Sequence, residues 1–401
     1  MHANPFSDAE LDRRLGTVRR DMARREIDLL LLSTPENIFY FTGLDHWGYF
    51  APHLLVVPSE GQMVLITRSM ERVTIETQVR NAQFEGHSDS ESAADLAVRH
   101  IKARETAQDR LSSALHETRQ ALPRSTRRIG FEAWSSGLPY AFGAALRESL
   151  EHVEWIDATG MVDALRLVKS PEEQALMRKA AKASDAGTQA AIAAIHDGAR
   201  EADVAAECLS AMTRAGGTPP GFGPFIRPDA RIAEEHTTWG DGSYHMGERV
   251  FLEVAGCVSR YNAPQGRLIH VGEISDEDAQ MAEISIRGFQ AILEGLKPGI
   301  TAADVYQSWQ SVVDAAGMPD YRRHHCGYLV GIGFPPSWTG GNSVTGLRHD
   351  SGLVLEKGMT FHAMSWFTET GRGDYFVSNT VLLGDIGAEV LTRTPMGPMI
   401  T

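Results

Sequence analysis

The spacing of apolar and polar residues changes period repeatedly along the chain, and each change marks an element. "DAELDRRLGTVRRDMARREI" sets apolar residues three and four apart among charges, which predicts an amphipathic helix. The "DLLLLST" behind it is apolar almost without a break, as expected of a strand buried on both faces. "HLLVVPSEGQMVLITR" is two apolar runs around Pro58-Ser59-Glu60-Gly61 and predicts a hairpin, and "IGFEAW" and "VEWIDAT" predict later strands. Helix and strand periods alternate through the first 160 residues, giving an α/β domain over 1–160.

The period then lengthens into the Ala-rich "SPEEQALMRKAAKASDAGTQAAIAAI". Ser170 with Glu173 forms a capping box and Pro171 suits the first helical position, so a long helix opens a second domain over 161–401. That domain repeats itself. Gly198 matches Gly299, Ala202-Asp203-Val204 matches Ala303-Asp304-Val305, and Ala215-Gly216 matches Ala316-Gly317, all at one offset without a gap. "GERVFLE" from Gly247 likewise parallels "GMTFHAM" from Gly358, making Glu253 the counterpart of Met364. Two such halves predict a pseudo-twofold domain, with inward side chains of both halves meeting in a cleft.

Composition narrows the partners. A net charge of −14 argues against nucleic acid. The apolar runs are strand-length, so no membrane span is expected, and the N-terminus lacks a signal-peptide pattern. Three scattered cysteines, Cys208, Cys257 and Cys326, make neither a disulfide framework nor a Cys-x-x-Cys site and point to the cytoplasm. Cys326 beside His325 is expected to be a packing residue, because adjacent strand residues face opposite ways; by the same rule at most one of His324 and His325 should face the cleft. No phosphate-binding Gly-x-x-x-x-Gly-Lys run and no Gly-x-Ser-x-Gly elbow occurs.

Five landmarks in order, "LRLVKSPEEQALMRKAA", "FLEVAG…RYNAPQGRLIHVG", "LKPGITAADV", "HHCGYLVGIGFPPSW" and "LEKGMTFHAM…FVSNTVLL", resemble the creatinase / methionine aminopeptidase / aminopeptidase P superfamily. "NIFYFTGLDHWGYF" is similar to the smaller domain of creatinases and prolidases. The resemblance implies an α/β (α+β) architecture, a creatinase-like N-terminal domain followed by a pita-bread domain. Metallopeptidases of this group hold two metal ions with two Asp, one His and two Glu. On this chain those places fall on Glu253, Pro264, Tyr328, Met364 and Ser378. Hard divalent ions need several oxygen or imidazole donors, and a proline side chain offers none. The expectation is therefore no metal and no cofactor, as in the creatinases and the ectoine-hydrolase-like group. The implied activity is metal-independent hydrolysis of a C–N bond in a small zwitterion by a cytoplasmic homodimer. A metal-using Xaa-Pro dipeptidase and a non-catalytic binding descendant are the alternatives.

Chemistry then rests on few residues. Glu253, in an apolar strand, would be a strengthened base for water or would itself attack carbon. His236 matches the family's substrate-side His, as donor to the leaving nitrogen or to the oxyanion, and Tyr328 offers a phenol where the ligand His stood. Phe222, Phe225, Phe334, Trp338 and Trp366 are expected to wall an apolar pocket with Met364, and Arg227 to clamp a substrate carboxylate. By resemblance, Trp47 and Phe50 of one subunit would close over the other's site.

Overall fold

A computed structural model describes residues 4–116, 127–341 and 344–401 and divides into two compact units, Met1–Arg166 and Leu167–Thr401. The first runs α1 (Asp8–Arg24), β1 (Leu29–Leu32), α2 (Pro35–Thr42), β2 (Leu54–Pro58), β3 (Met63–Arg68), α3 (Arg72–Gln78), β4 (Ala82–His87), α4 (Ala93–His116), β5 (Arg128–Phe131), α5 (Tyr140–Ser149), β6 (Glu154–Asp157) and α6 (Met161–Arg166). Its sheet has the order β4-β3-β2-β1-β5-β6, with the expected hairpin pairing Leu54 with Ile66. β1 is central and wholly buried, which is why it carries no polar residue. The unit ends later than residue 160 because α6 belongs to it: Arg166 Nη1 donates to Asn37 Oδ1 at 2.7 Å, on α2.

The second unit runs α7 (Pro171–Ala194), α8 (Glu201–Arg214), β7 (Phe225–Pro228), β8 (Arg249–Val258), β9 (Tyr261–His270), α9 (Asp276–Gly295), α10 (Ala302–Ala315), β10 (Gly327–Leu329), β11 (Thr360–Phe367), β12 (Tyr375–Leu383), β13 (Ala388–Val390) and β14 (Met399–Ile400). The capping box of Ser170 and Glu173 forms in both directions, and the other oxygen of Glu173 accepts from the Tyr261 hydroxyl at 2.8 Å, tying the helix start to β9. The internal repeat is structural. α8 and α10 begin and end at corresponding residues, and Gly198, Gly299, Gly216 and Gly317 all have φ between 76° and 89°, conformations costly for a residue with a Cβ.

The large sheet has the order β10-β11-β12-β9-β8-β7, a palindrome about the β12–β9 junction. Helices from both halves cover one face. On the other, pairing sets one row across five strands: Phe225 opposite Glu253, Glu253 opposite Gly266, Gly266 opposite Ser378, and Ser378 opposite Met364. The pseudo-axis passes between Gly266 and Ser378, so Glu253 and Met364 are equivalent, as the repeat implies. Pro264 lies within β9 and has no N–H to give. The β9–β12 ladder covers only Arg267 and Gly266, and the Pro264 carbonyl instead accepts from the Thr380 hydroxyl at 2.8 Å. No described helix is long and apolar enough to cross a membrane.

Candidate active site

Phe225, Glu253 and Met364 of this row line the floor of a cavity of about 470 Å³ within the second unit, a volume suited to a small molecule. Glu253 stands on this floor with its side chain 12% exposed. Burial pushes its carboxyl from the ordinary 4.5 up to about 8; Arg227 pulls the other way and Glu235 adds slightly to the rise. Gly266 beside it leaves the space that Phe376 fills: an added Cβ would lie 2.0 Å from the Phe376 ring. Phe376 stacks on Phe251 at 4.8 Å and against Trp366 at 5.5 Å, and of these three Trp366 reaches the cavity, so the layer beside the acid is aromatic.

Four expected wall residues, Phe222, Phe225, Trp338 and Trp366, line the cavity, and the first three pack ring against ring at 4.9–5.2 Å. Phe334 does not line it; its ring lies under the Arg260 guanidinium at 4.6 Å. Met364 lines the cavity where its pseudo-symmetric mate is an acid. His236 sits exposed at the rim, stacked on Phe222 at 6.0 Å, with φ of 55°, a left-handed conformation that His adopts more readily than most residues. Arg227 lines the cavity, but one edge is already engaged. Its Nη1 donates to the Glu234 carbonyl, two residues before His236, and its guanidinium lies 4.3 Å over the Phe251 ring. Arg231 holds the same loop further on, donating to the Thr238 carbonyl at 2.8 Å and to Glu201 at 2.5 Å. The two arginines thus fix the segment that presents His236.

Both His324 and His325 line the cavity, against the expectation that only one would. β10 begins at Gly327, so the two histidines occupy a bend where strand alternation does not apply, and their rings sit 4.0 Å apart. Burial drives His325 down to about 3, so it is neutral. Cys326 is fully buried and its thiol is raised far above the ordinary range, which makes it inert. Trp47 and Phe50 belong to the first unit, where they are 62% and 81% exposed.

Residue pattern alone did not single out His362. It is fully buried on β11, opposite Tyr328 of β10. Its Nδ1 is 2.9 Å from the Tyr328 hydroxyl, and its Nε2 is 2.7 Å from the Ser378 hydroxyl and 3.7 Å from Glu253 Oε1. Trp338 Nε1 donates to the same Tyr328 hydroxyl at 2.8 Å. The available signal was parity with Met364 on one strand, which puts His362 on the cavity face. Burial holds His362 well below the usual imidazole range and Tyr328 well above the usual phenol range, so both are neutral.

A divalent metal pair does not fit these donors. Of the five places, Pro264 gives no side-chain donor, Met364 gives a thioether, the Tyr328 phenol is held protonated, and Ser378 is engaged by His362. Among the described residues no group of three His, Cys, Asp or Glu is arranged to hold a metal ion.

Comparison with known proteins places the geometry. Residues 14–168 match the creatinase/prolidase N-terminal domain and residues 175–385 match metallopeptidase family M24. The chain is 27% identical to the ectoine hydrolase of Halomonas elongata, over 98% of this chain and 97% of that one. It is 23% identical to the Xaa-Pro dipeptidase of Pyrococcus furiosus, over 95% and 98%. Among solved structures it superposes on the Xaa-Pro dipeptidase from Bacillus anthracis with a TM-score of 0.81 at 21% identity, covering 98% of this chain and all of that one. The palindromic sheet, the creatinase-type first unit and the family match over more than half its length establish that the chain belongs to metallopeptidase family M24, a family of hydrolases.

Proposed function

We propose that this protein hydrolyses a C–N bond in a small zwitterionic substrate, in the manner of an ectoine hydrolase, without a divalent metal. The observation that carries the reading is one buried carboxyl, Glu253, in an aromatic-walled cavity, while the other four ligand places of the sheet hold Pro264, Tyr328, Met364 and Ser378. The cavity is lined by Arg227 and Arg348 and by Glu235 and, once ionised, Glu253, which suits a zwitterion. The identity to an ectoine hydrolase over nearly the whole chain supports the same substrate class.

Glu253 is held mainly protonated when the site is empty, because burial disfavours the anion. A cationic amidine-type group seated against it favours the carboxylate, which then has the basicity to take a proton from water near neutral pH. Water oxygen bonds to the amidine carbon, its proton passes to Glu253, and the C–N bond breaks as the departing nitrogen accepts a proton. His236, at the rim, is the donor for that nitrogen. The remaining edge of Arg227 meets the substrate carboxylate, and Met364 and Trp338 shape the apolar side. The enzyme works as a cytoplasmic homodimer, with Trp47 and Phe50 of one subunit covering the other's site, and takes neither nucleic acid nor membrane as partner.

The test is hydrolysis of ectoine, creatine and an Xaa-Pro dipeptide by the wild type and by Glu253→Gln. Turnover of ectoine or a related cyclic amidine, lost in the variant, is expected. Cleavage of the dipeptide alone would replace this reading with the dipeptidase one, and inertness on all three together with ligand binding would replace it with a binding protein.

A further inference from the structure

The hydrogen-bond chain beside Glu253 can hold its protons in two ways, and the neighbouring carboxylate selects between them. An indole N–H is a donor and nothing else, so at 2.8 Å the Tyr328 oxygen must accept from Trp338. The single proton of Tyr328 is then available to the other neighbour, His362 Nδ1 at 2.9 Å. A ring nitrogen that accepts a hydrogen bond carries no proton. With Nδ1 accepting from Tyr328, the neutral imidazole bears its hydrogen on Nε2, the tautomer that an ionised Glu253 carboxylate 3.7 Å away favours over a bare ring nitrogen. That N–H meets the Ser378 oxygen at 2.7 Å and lies 3.7 Å from Glu253 Oε1. The ring is fully buried and bonded at both nitrogens, so it cannot turn over without breaking both contacts.

From this geometry we infer that His362 is a positioning residue for Glu253, its Nε2–H held by Trp338 and Tyr328 as the donor that the Glu253 carboxylate gains when it ionises. The inference rests on the proposed hydrolytic role of Glu253. In the resting site the N–H is taken by the Ser378 hydroxyl. A modest turn of the Glu253 carboxylate closes the remaining gap, and the N–H is then shared between the two oxygens. The four side chains come from three strands and the loop after β10, so the device exists only in the folded sheet. His362 touches no substrate in this account. It fixes which way the carboxylate points when a water is activated.

Two readouts test it. The first needs no turnover: the two ring nitrogens of His362 are distinguished in a long-range 1H–15N spectrum of histidine-labelled protein, the resonance being assigned by its loss in His362→Gln. A protonated Nε2 and bare Nδ1 are expected in the wild type, with Tyr328→Phe removing the Nδ1 hydrogen-bond shift. A protonated Nδ1 overturns the inference. The second compares His362→Gln, whose amide N–H can take the place of Nε2–H, with His362→Leu. The expected result is a kcat lowered about 100-fold in the leucine variant at near-constant KM, with most of it restored in the glutamine variant. Equal loss in both, or a change confined to KM, overturns it, and if the leucine variant does not fold, the glutamine variant and the wild-type tautomer decide. An inert wild type with a protonated Nε2 would sink the functional reading and leave the positioning intact. An active enzyme with a protonated Nδ1 would do the reverse.

Discussion

Replacing Glu253 with Gln should stabilise the protein, by an amount that grows with pH. In the unfolded chain the carboxyl loses its proton near 4.5, whereas in the folded cavity it keeps the proton up to about 8. Between those values the unfolded state alone is ionised, so each pH unit costs the wild type about 1.36 kcal/mol that the glutamine variant does not lose. The advantage of the variant is near zero below pH 4, about 3 kcal/mol at pH 7, and levels off near 5 kcal/mol above pH 8. For a unit of this size the pH 7 figure corresponds to a rise in Tm of about 6–12 °C. Thermal and urea unfolding of both proteins across pH 4–9 measure it directly. A stability difference independent of pH would mean that Glu253 is ionised in the folded state like an ordinary surface carboxyl, and the chemical argument built on its burial would fall.

Other consequences are sharper locally. Gly266→Ala puts a methyl within 2.0 Å of the Phe376 ring, so the aromatic layer must shift; a loss of about 1–3 kcal/mol on denaturant unfolding is expected, with activity falling further than stability. Ser170→Ala removes the acceptor of the Glu173 N–H at the start of α7 and should cost about 1 kcal/mol without changing turnover of the folded enzyme. Arg227→Met removes the bond to the Glu234 carbonyl that holds the His236 loop; kcat should drop together with a rise in KM, whereas a change in KM alone would assign Arg227 to substrate binding only.

The repeat was the part of the fold most legible in the sequence, because the turns at Gly198 and Gly299 and the helix stops at Gly216 and Gly317 demand left-handed backbone and so leave a fixed mark. Glu253 was legible for a similar reason: one acid in an apolar strand needs an explanation. What pattern could not give were facts of register. His362 meets Tyr328 and Ser378 through strand pairings between residues 34 and 16 positions apart, and nothing local to "GMTFHAM" announces that. His324 and His325 both reach the cavity because the strand starts only at Gly327, a boundary that apolar pattern does not mark. Composition places Phe334 with the wall aromatics, but its ring packs under Arg260. Arg227 was legible as a cation near the site, yet its hold on the loop of His236 depends on a backbone carbonyl that no side-chain pattern reveals.

The central claim is that Glu253, and no bound metal, carries the hydrolysis. Metal content of the purified protein, measured alongside ectoine turnover with and without chelator, tests it most directly. The account predicts turnover at less than stoichiometric metal, unchanged by chelator and abolished in Glu253→Gln. Two equivalents of bound metal with turnover lost to the chelator and restored by adding the metal back would contradict it.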